Sequence, residues 1–169
     1  MSKLSAAILA CSFLVYSSEI VALSLESTSI SYGNSAQVQR TFTLRETTDT
    51  VGKWFESHRE DVKKAGGCQV IEYKNDKMRV RKDTLRGRME WTEQLTKEGD
   101  VFVSKLVEVH QGRIVNTVNK AWFVKTNDGC SVILQTYTEV DGATPTQIKR
   151  EVNKSMIRVQ ELFEKNFKH

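Results

Sequence analysis

The feature that most constrains this chain is its ending, TPTQIKREVNKSMIRVQELFEKNFKH. Ile148, Val152, Met156, Val159, Phe163 and Phe167 step by threes and fours, the spacing that lines one face of an α-helix. Ile157 and Leu162 widen the stripe, and Lys149, Arg150, Lys154, Arg158, Glu161 and Lys165 fill the remainder. Thr144 offers an N-cap. Pro145 takes the first helical position, where a missing N–H costs nothing. A helix this long with so wide an apolar stripe must lie across a large apolar surface.

The preceding residues supply that surface as strands. QVQRTFTLRET sets Val38, Phe42 and Leu44 on one face and Gln39, Thr41 and Thr43 on the other, the period-two pattern of a half-buried strand. In ETTDTVGKWFESHREDVKKAGG, Thr48 or Asp49 can cap a helix. Val51, Trp54 and Phe55 fall at i, i+3 and i+4, and Gly66 and Gly67 close the segment. This predicts one or two short helices. From Cys68 onward six strands follow: CQVIEY, MRVRK, RMEWTEQLT, DVFVSKLVEVH, IVNTVNKAWFVK and CSVILQTYTEV. Short separators rich in Gly, Asn and Asp join most of them, as antiparallel hairpins require. Met78 and Val80 are apolar at even positions, Met89 and Trp91 at odd ones. A one-residue shift flips every side chain, so a turn closing on Gly87 is expected between them.

A strand, a short helical pair, a meander and a capped final helix is the order of the helix-grip fold. From about Val38 to Phe167 the chain resembles the START/polyketide-cyclase-like (SRPBCC) superfamily. The resemblance implies an α+β fold: a curved antiparallel sheet of about seven strands wrapped around the long C-terminal helix, with two short helices after the first strand. It implies a single domain over 37–169, preceded by a lead-in over 25–36. YKNDKM stands where pollen-allergen relatives carry a glycine-rich loop, a departure that argues against a plant-type carrier.

The resemblance further implies a cavity between sheet and helix for a lipid-like or other apolar small molecule. Candidate wall residues, chosen for size and phase, are Met89, Trp91, Phe102, Trp122, Tyr137, Met156, Val159 and Phe163. The alternatives are a cyclase or dehydratase on the same fold, or a ligand-free module that binds an anionic partner through an arginine stripe. The enzyme would need an ionisable residue pointing into the cavity, and the sequence offers no clear one. No cofactor is expected.

Lys77, Arg79, Arg81, Arg86 and Arg88 crowd one stretch opposite the apolar positions. Arg79, Arg81, Arg86 and Arg88 would make a stripe on the outer face for an anionic partner or a membrane surface. The plainer reading is a charged strand protected from pairing with other chains. Nucleic acid is not expected, because the three tryptophans read as buried rather than as a stacking platform. His58 lies among carboxylates in FESHRED but reads as a solvated helix end. His110 and His169 lack partners at metal-ligand spacing.

MSKLSAAILACSFLVYSSEIVALS has one lysine, an apolar run over 4–16 and small residues at Ala22 and Ser24. The run is shorter than the roughly 20 residues a membrane span needs, and the pattern predicts a signal peptide over 1–24 with export. A lipidated Cys11 is the competing reading. Two cysteines then remain, Cys68 and Cys130. In a meander they begin strands five spacings apart, about 24 Å at 4.8 Å each. A disulfide requires Cα atoms within roughly 7 Å, so the pair is expected to be unlinked.

Overall fold

The computed structural model describes residues 27–84 and 86–167. The apolar run 4–16, Cys11, the cleavage position after Ser24 and His169 lie outside the described residues. The elements are β1 (Ser27–Tyr32), β2 (Ser35–Leu44), α1 (Thr48–Ser57), α2 (Arg59–Ala65), β3 (Gln69–Lys74), β4 (Lys77–Thr84), β5 (Gly87–Glu98), β6 (Val101–Gln111), β7 (Ile114–Thr126), β8 (Gly129–Val140) and α3 (Pro145–Phe167). All eight strands form one antiparallel sheet in the order β1-β2-β8-β7-β6-β5-β4-β3. The six-strand meander is present as expected, and α3 lies against β2, β8 and α2. The architecture is an α+β helix grip.

The eighth strand is a correction to the expected lead-in. STSISY alternates hydroxyl residues rather than large apolar ones, yet it pairs along its length with β2 from Ser27↔Arg40 to Tyr32↔Ser35. Gly33, at φ +53°, supplies the two-residue turn. The sheet therefore starts ten residues before the expected domain edge at 37, and the short helices follow the second strand.

The change of phase between β4 and β5 is a tight hairpin, Thr84↔Gly87, with Gly87 at φ +109°. That conformation is open to glycine and strained for other residues. Across the hairpin Val80 faces Trp91 and Met78 faces Glu93. The turn returns both apolar sets to the inner face.

Helix α1 is capped by Thr47, not Thr48 or Asp49; its hydroxyl accepts from the Thr50 N–H at 3.2 Å. Thr47 has the extended backbone an N-cap requires. His58 separates α1 from α2, stacks on Trp54 at 4.9 Å, and its Nδ1 lies 2.9 Å from the Trp54 carbonyl oxygen. Its role is to close α1. At α3 the cap is reciprocal: the Gln147 N–H donates to Thr144 Oγ1 at 3.3 Å, and the Thr144 N–H donates to Gln147 Oε1 at 3.0 Å. Ile148, Met156, Val159 and Phe163 are buried as the stripe predicts, whereas Ile157 is exposed.

The interior has two parts. Around the fully buried Phe163 stand Phe42, Trp54, Phe55, Phe123 and Phe167, with ring centroids 4.9–6.4 Å from it. On the β4–β5 side, Met78, Val80, Trp91, Leu95 and Ile114 make a second apolar cluster. Cys68 and Cys130 are both free thiols, and five spacings separate β3 from β8 in the sheet.

Candidate functional site

A cavity of about 530 Å³ lies between the inner face of the sheet, α2 and the first half of α3. Strand alternation builds its wall. Met89, Trp91 and Leu95 come from β5, Phe102 from β6, Ala121 from β7 and Leu134 from β8. Ile148, Val152, Met156 and Val159 descend from α3 at helical spacing. Five of the residues selected from the sequence thus line it: Met89, Trp91, Phe102, Met156 and Val159.

The other three are placed elsewhere. Phe163 belongs to the aromatic cluster, where it is fully buried. Trp122 and Tyr137 lie on the opposite face of the sheet. Trp122 shares that surface with Val101, Lys120 and Gln135, and the Tyr137 hydroxyl donates to Glu139 at 3.2 Å. Val132 and Leu134 fix the inner phase of β8 at even positions, so Thr136 and Thr138 face the cavity instead. On β7 the inner residues are Thr117, Asn119 and Ala121. The β7–β8 part of the wall is therefore largely small or polar. Of the three tryptophans, Trp91 is buried and Trp54 and Trp122 are half-buried.

The cavity also contains a carboxylate that size-based selection passed over. Glu93 is in phase with Met89, Trp91 and Leu95, and is completely buried. Lys63 of α2 places its Nζ 2.5 Å from Glu93 Oε2. The Trp91 indole N–H donates to Oε1 at 2.8 Å, and the Ser104 hydroxyl donates to Oε2. Burial pushes the Glu93 carboxyl upward, but the Lys63 charge and the three hydrogen bonds outweigh it and hold the group below its ordinary range. Glu93 is ionised at neutral pH, with its charge compensated. The alternation of RMEWTEQL was the signal that could have found it: Met89 and Trp91 set the inner phase, and Glu93 keeps it.

Cys68 also borders the cavity, and burial pushes its thiol up against the opposing fields of Lys63 and Lys82. It is a protonated thiol, not a nucleophile at rest. Lys82 extends from β4 to α3, donating to Ser155 Oγ at 2.9 Å. No group of His, Cys, Asp and Glu among the described residues is arranged to hold a metal.

Arginines mark one end of the cavity rather than forming a free stripe. Arg79 and Arg81 both bond Glu90 on the outer face, the Arg81 Nη2 at 2.9 Å. Arg88 pairs with Asp83 at 3.0 Å. Arg86 turns away from them and reaches the α3 start, bonding the Gly142 carbonyl and Gln147 Oε1, the latter at 2.5 Å. The expected outer stripe is thus largely neutralised, and its fourth member spans the cavity margin. Nearby the sheet opens. β6 pairs with β7 only over Val101–Lys105 and Val118–Trp122. Beyond that, β6 continues with β5 to Gln111 and β7 continues with β8 to Ile114.

The fold has parallels among solved structures. The ginseng major latex-like protein 151 from Panax ginseng superposes with a TM-score of 0.56 at 15% identity, covering 81% of this chain and all of its own. A START superfamily protein from Mycobacterium smegmatis gives 0.57 at 12% identity, over 78% of this chain and 96% of that one. The chain has the helix-grip fold that these structures share. The Zhui aromatase/cyclase from Streptomyces sp. R1128 shares it, with a TM-score of 0.53 at 11% identity, over 75% of this chain and 87% of its own. No protein-family model matches the sequence, and comparison with curated proteins finds no match. At these identities the likeness is one of fold.

Proposed function

We propose that this protein binds an apolar small molecule in the space between the sheet and α3, as a carrier or receptor rather than as a catalyst. The observation that carries this reading is the cavity itself. A volume of about 530 Å³ walled by Met89, Trp91, Leu134, Ile148 and Met156 lies in the size range of small-molecule sites, and its lining is mostly apolar with a few placed polar groups. Transfer of apolar surface out of water into such a space is favourable at roughly 25 cal/mol per Å².

A cyclase or dehydratase is the second reading, favoured by the presence of the ionised Glu93 inside the cavity and by the aromatase/cyclase of the same fold. The binding reading is preferred because Glu93 is already engaged by Lys63, Trp91 and Ser104. A general base must keep a lone pair for its substrate and a pKa near the working pH; Glu93 is held the other way.

The test is titration with a neutral environment-sensitive dye, followed by its own emission and by Trp91 quenching. Saturable one-to-one uptake, reduced at least about tenfold by Thr136→Leu, is expected. Absence of uptake by the wild type would remove the reading.

Export belongs to the same proposal: residues 1–24 form a leader, and the exported chain begins at Leu25. N-terminal sequencing of the protein from its own host checks this, with an intact Met1 or a lipidated Cys11 as the contrary results. Contact with a membrane surface is the second part of the proposal: Val107, Val109 and Val115 are exposed, and Arg86 and Arg113 line the cavity. Vesicle co-sedimentation that requires those valines is the expected outcome.

A further inference from the structure

We infer that the ligand carries an anionic group, and that Arg59 at the α2 end of the cavity receives it. This deepens the proposed binding function and rests on it. Arg59 is the first residue of α2 and is only 9% exposed, yet it lines the cavity. Its Nε is buried and has no hydrogen-bond acceptor. None of the ion pairs among the described residues includes it. Its guanidinium instead lies 5.4 Å from the centroid of the Phe102 ring, a contact that attracts a cation but satisfies no N–H.

A buried guanidinium with an open donor is costly unless something completes it. The polypeptide shows that it can complete such a charge: one turn along α2, Lys63 is matched by Glu93. For Arg59 no such partner is supplied. The third cation bordering this end of the cavity, Lys82, meets a hydroxyl, Ser155 Oγ, and not a carboxylate. Of the cavity-lining cations Arg59, Lys63 and Lys82, Lys63 alone has a carboxylate partner, Glu93; Glu151, which also lines the cavity, pairs with Lys154.

The chemistry that fits is an apolar body ending in a planar carboxylate. The guanidinium fork matches a carboxylate with two parallel N–H···O bonds, and a singly charged head leaves the Lys63–Glu93 pair undisturbed. The body then runs along Trp91, Leu134 and Met156 toward Ile114 and Ile148 at the opposite end. An elongated aliphatic or polycyclic monocarboxylate has that shape.

The test is calorimetric titration of the full chain, at neutral pH and low salt, with dodecanoate and with dodecan-1-ol. Wild type is expected to bind the carboxylate about tenfold or more tighter than the alcohol, the worth of a charge-assisted hydrogen bond. Arg59→Met should bring the acid down to the alcohol's affinity while leaving the alcohol within about twofold of its wild-type value. Lys82→Met should narrow the preference by a smaller factor, about threefold. Equal affinities in the wild type, or a preference that survives Arg59→Met, would overturn the anion site while leaving apolar binding intact. If neither compound binds, the cavity reading falls and this inference with it. Thermal melting of the ligand-free variant supplies a fold control: Arg59→Met should melt no lower than wild type, because an unpaired buried charge has gone. A melt well below wild type would make Arg59 a structural residue and overturn the assignment.

Discussion

The same helix covers two interiors that differ in how they are filled. Its C-terminal half presses Phe163 and Phe167 into Phe42, Trp54, Phe55 and Phe123, and Phe163 is fully buried there. Its N-terminal half, from Ile148 to Met156, faces Thr117, Asn119, Thr136 and Thr138 across an open cavity. Both halves carry the same apolar periodicity, so the helix does not decide the difference. The opposite wall does. Helix α1 brings two large aromatic residues over one end of the sheet, while the inner positions of β7 and β8 at the other end are occupied by short polar side chains. Packing follows the smaller partner.

That comparison can be broken by substitution, and the largest effect belongs on the filled side. Phe163→Ala removes a fully buried ring from the centre of the aromatic cluster and is expected to cost about 4 kcal/mol in urea denaturation. An effect below about 1 kcal/mol would mean that this end is as loosely packed as the other.

Next in size is the charge buried on the open side. Glu93→Gln leaves Lys63 without its counter-charge and should cost about 3 kcal/mol at neutral pH. The pH dependence has a definite sign. The folded chain holds the Glu93 carboxyl below its ordinary range. The stability it contributes is therefore complete above the unfolded value, about 4.3, and is lost as pH falls through the lower folded value. Stability curves of wild type and Glu93→Gln should converge toward low pH; parallel curves would show that the group is not ionised in the folded state.

A matched pair of enlargements sharpens the contrast. Val51→Phe overfills a packed site and should cost about 2 kcal/mol. Thr136→Leu adds bulk where the cavity is open, and should change stability by less than about 1 kcal/mol while excluding ligand. Equal costs would mean that the two ends are alike. The smallest expected effect is at the margin. Arg86 is exposed and bonds Gly142 and Gln147 of the α3 approach, so Arg86→Ala should alter stability by at most about 0.5 kcal/mol. Stopped-flow release of a bound dye should nevertheless accelerate.

Much of this architecture was legible before the structure. The α3 stripe and its Thr144–Pro145 start announced a helix needing a sheet, and the Met78/Val80 to Met89/Trp91 change of phase required the turn at Gly87. β1 escaped because STSISY carries little apolar alternation; the Gly33–Asn34 turn was its one signal. Within the site, selection by size chose Trp122 and Tyr137, which the phase of Val132 and Leu134 puts on the far face. Glu93 obeyed the inner phase of β5 and was legible in principle. Its pairing with Lys63 was not, because it depends on how α2 folds over β5, a relation that no local pattern encodes. Arg59 is hidden for the same reason: a charged residue in REDVKKA reads as solvated until Phe102 and the cavity surround it.

The most direct measurement of the central claim is native mass spectrometry of the protein purified from its own host. The account predicts a discrete additional mass, removed by organic extraction and regained from a lipid mixture. A clean apo mass that takes up nothing from that mixture would contradict it.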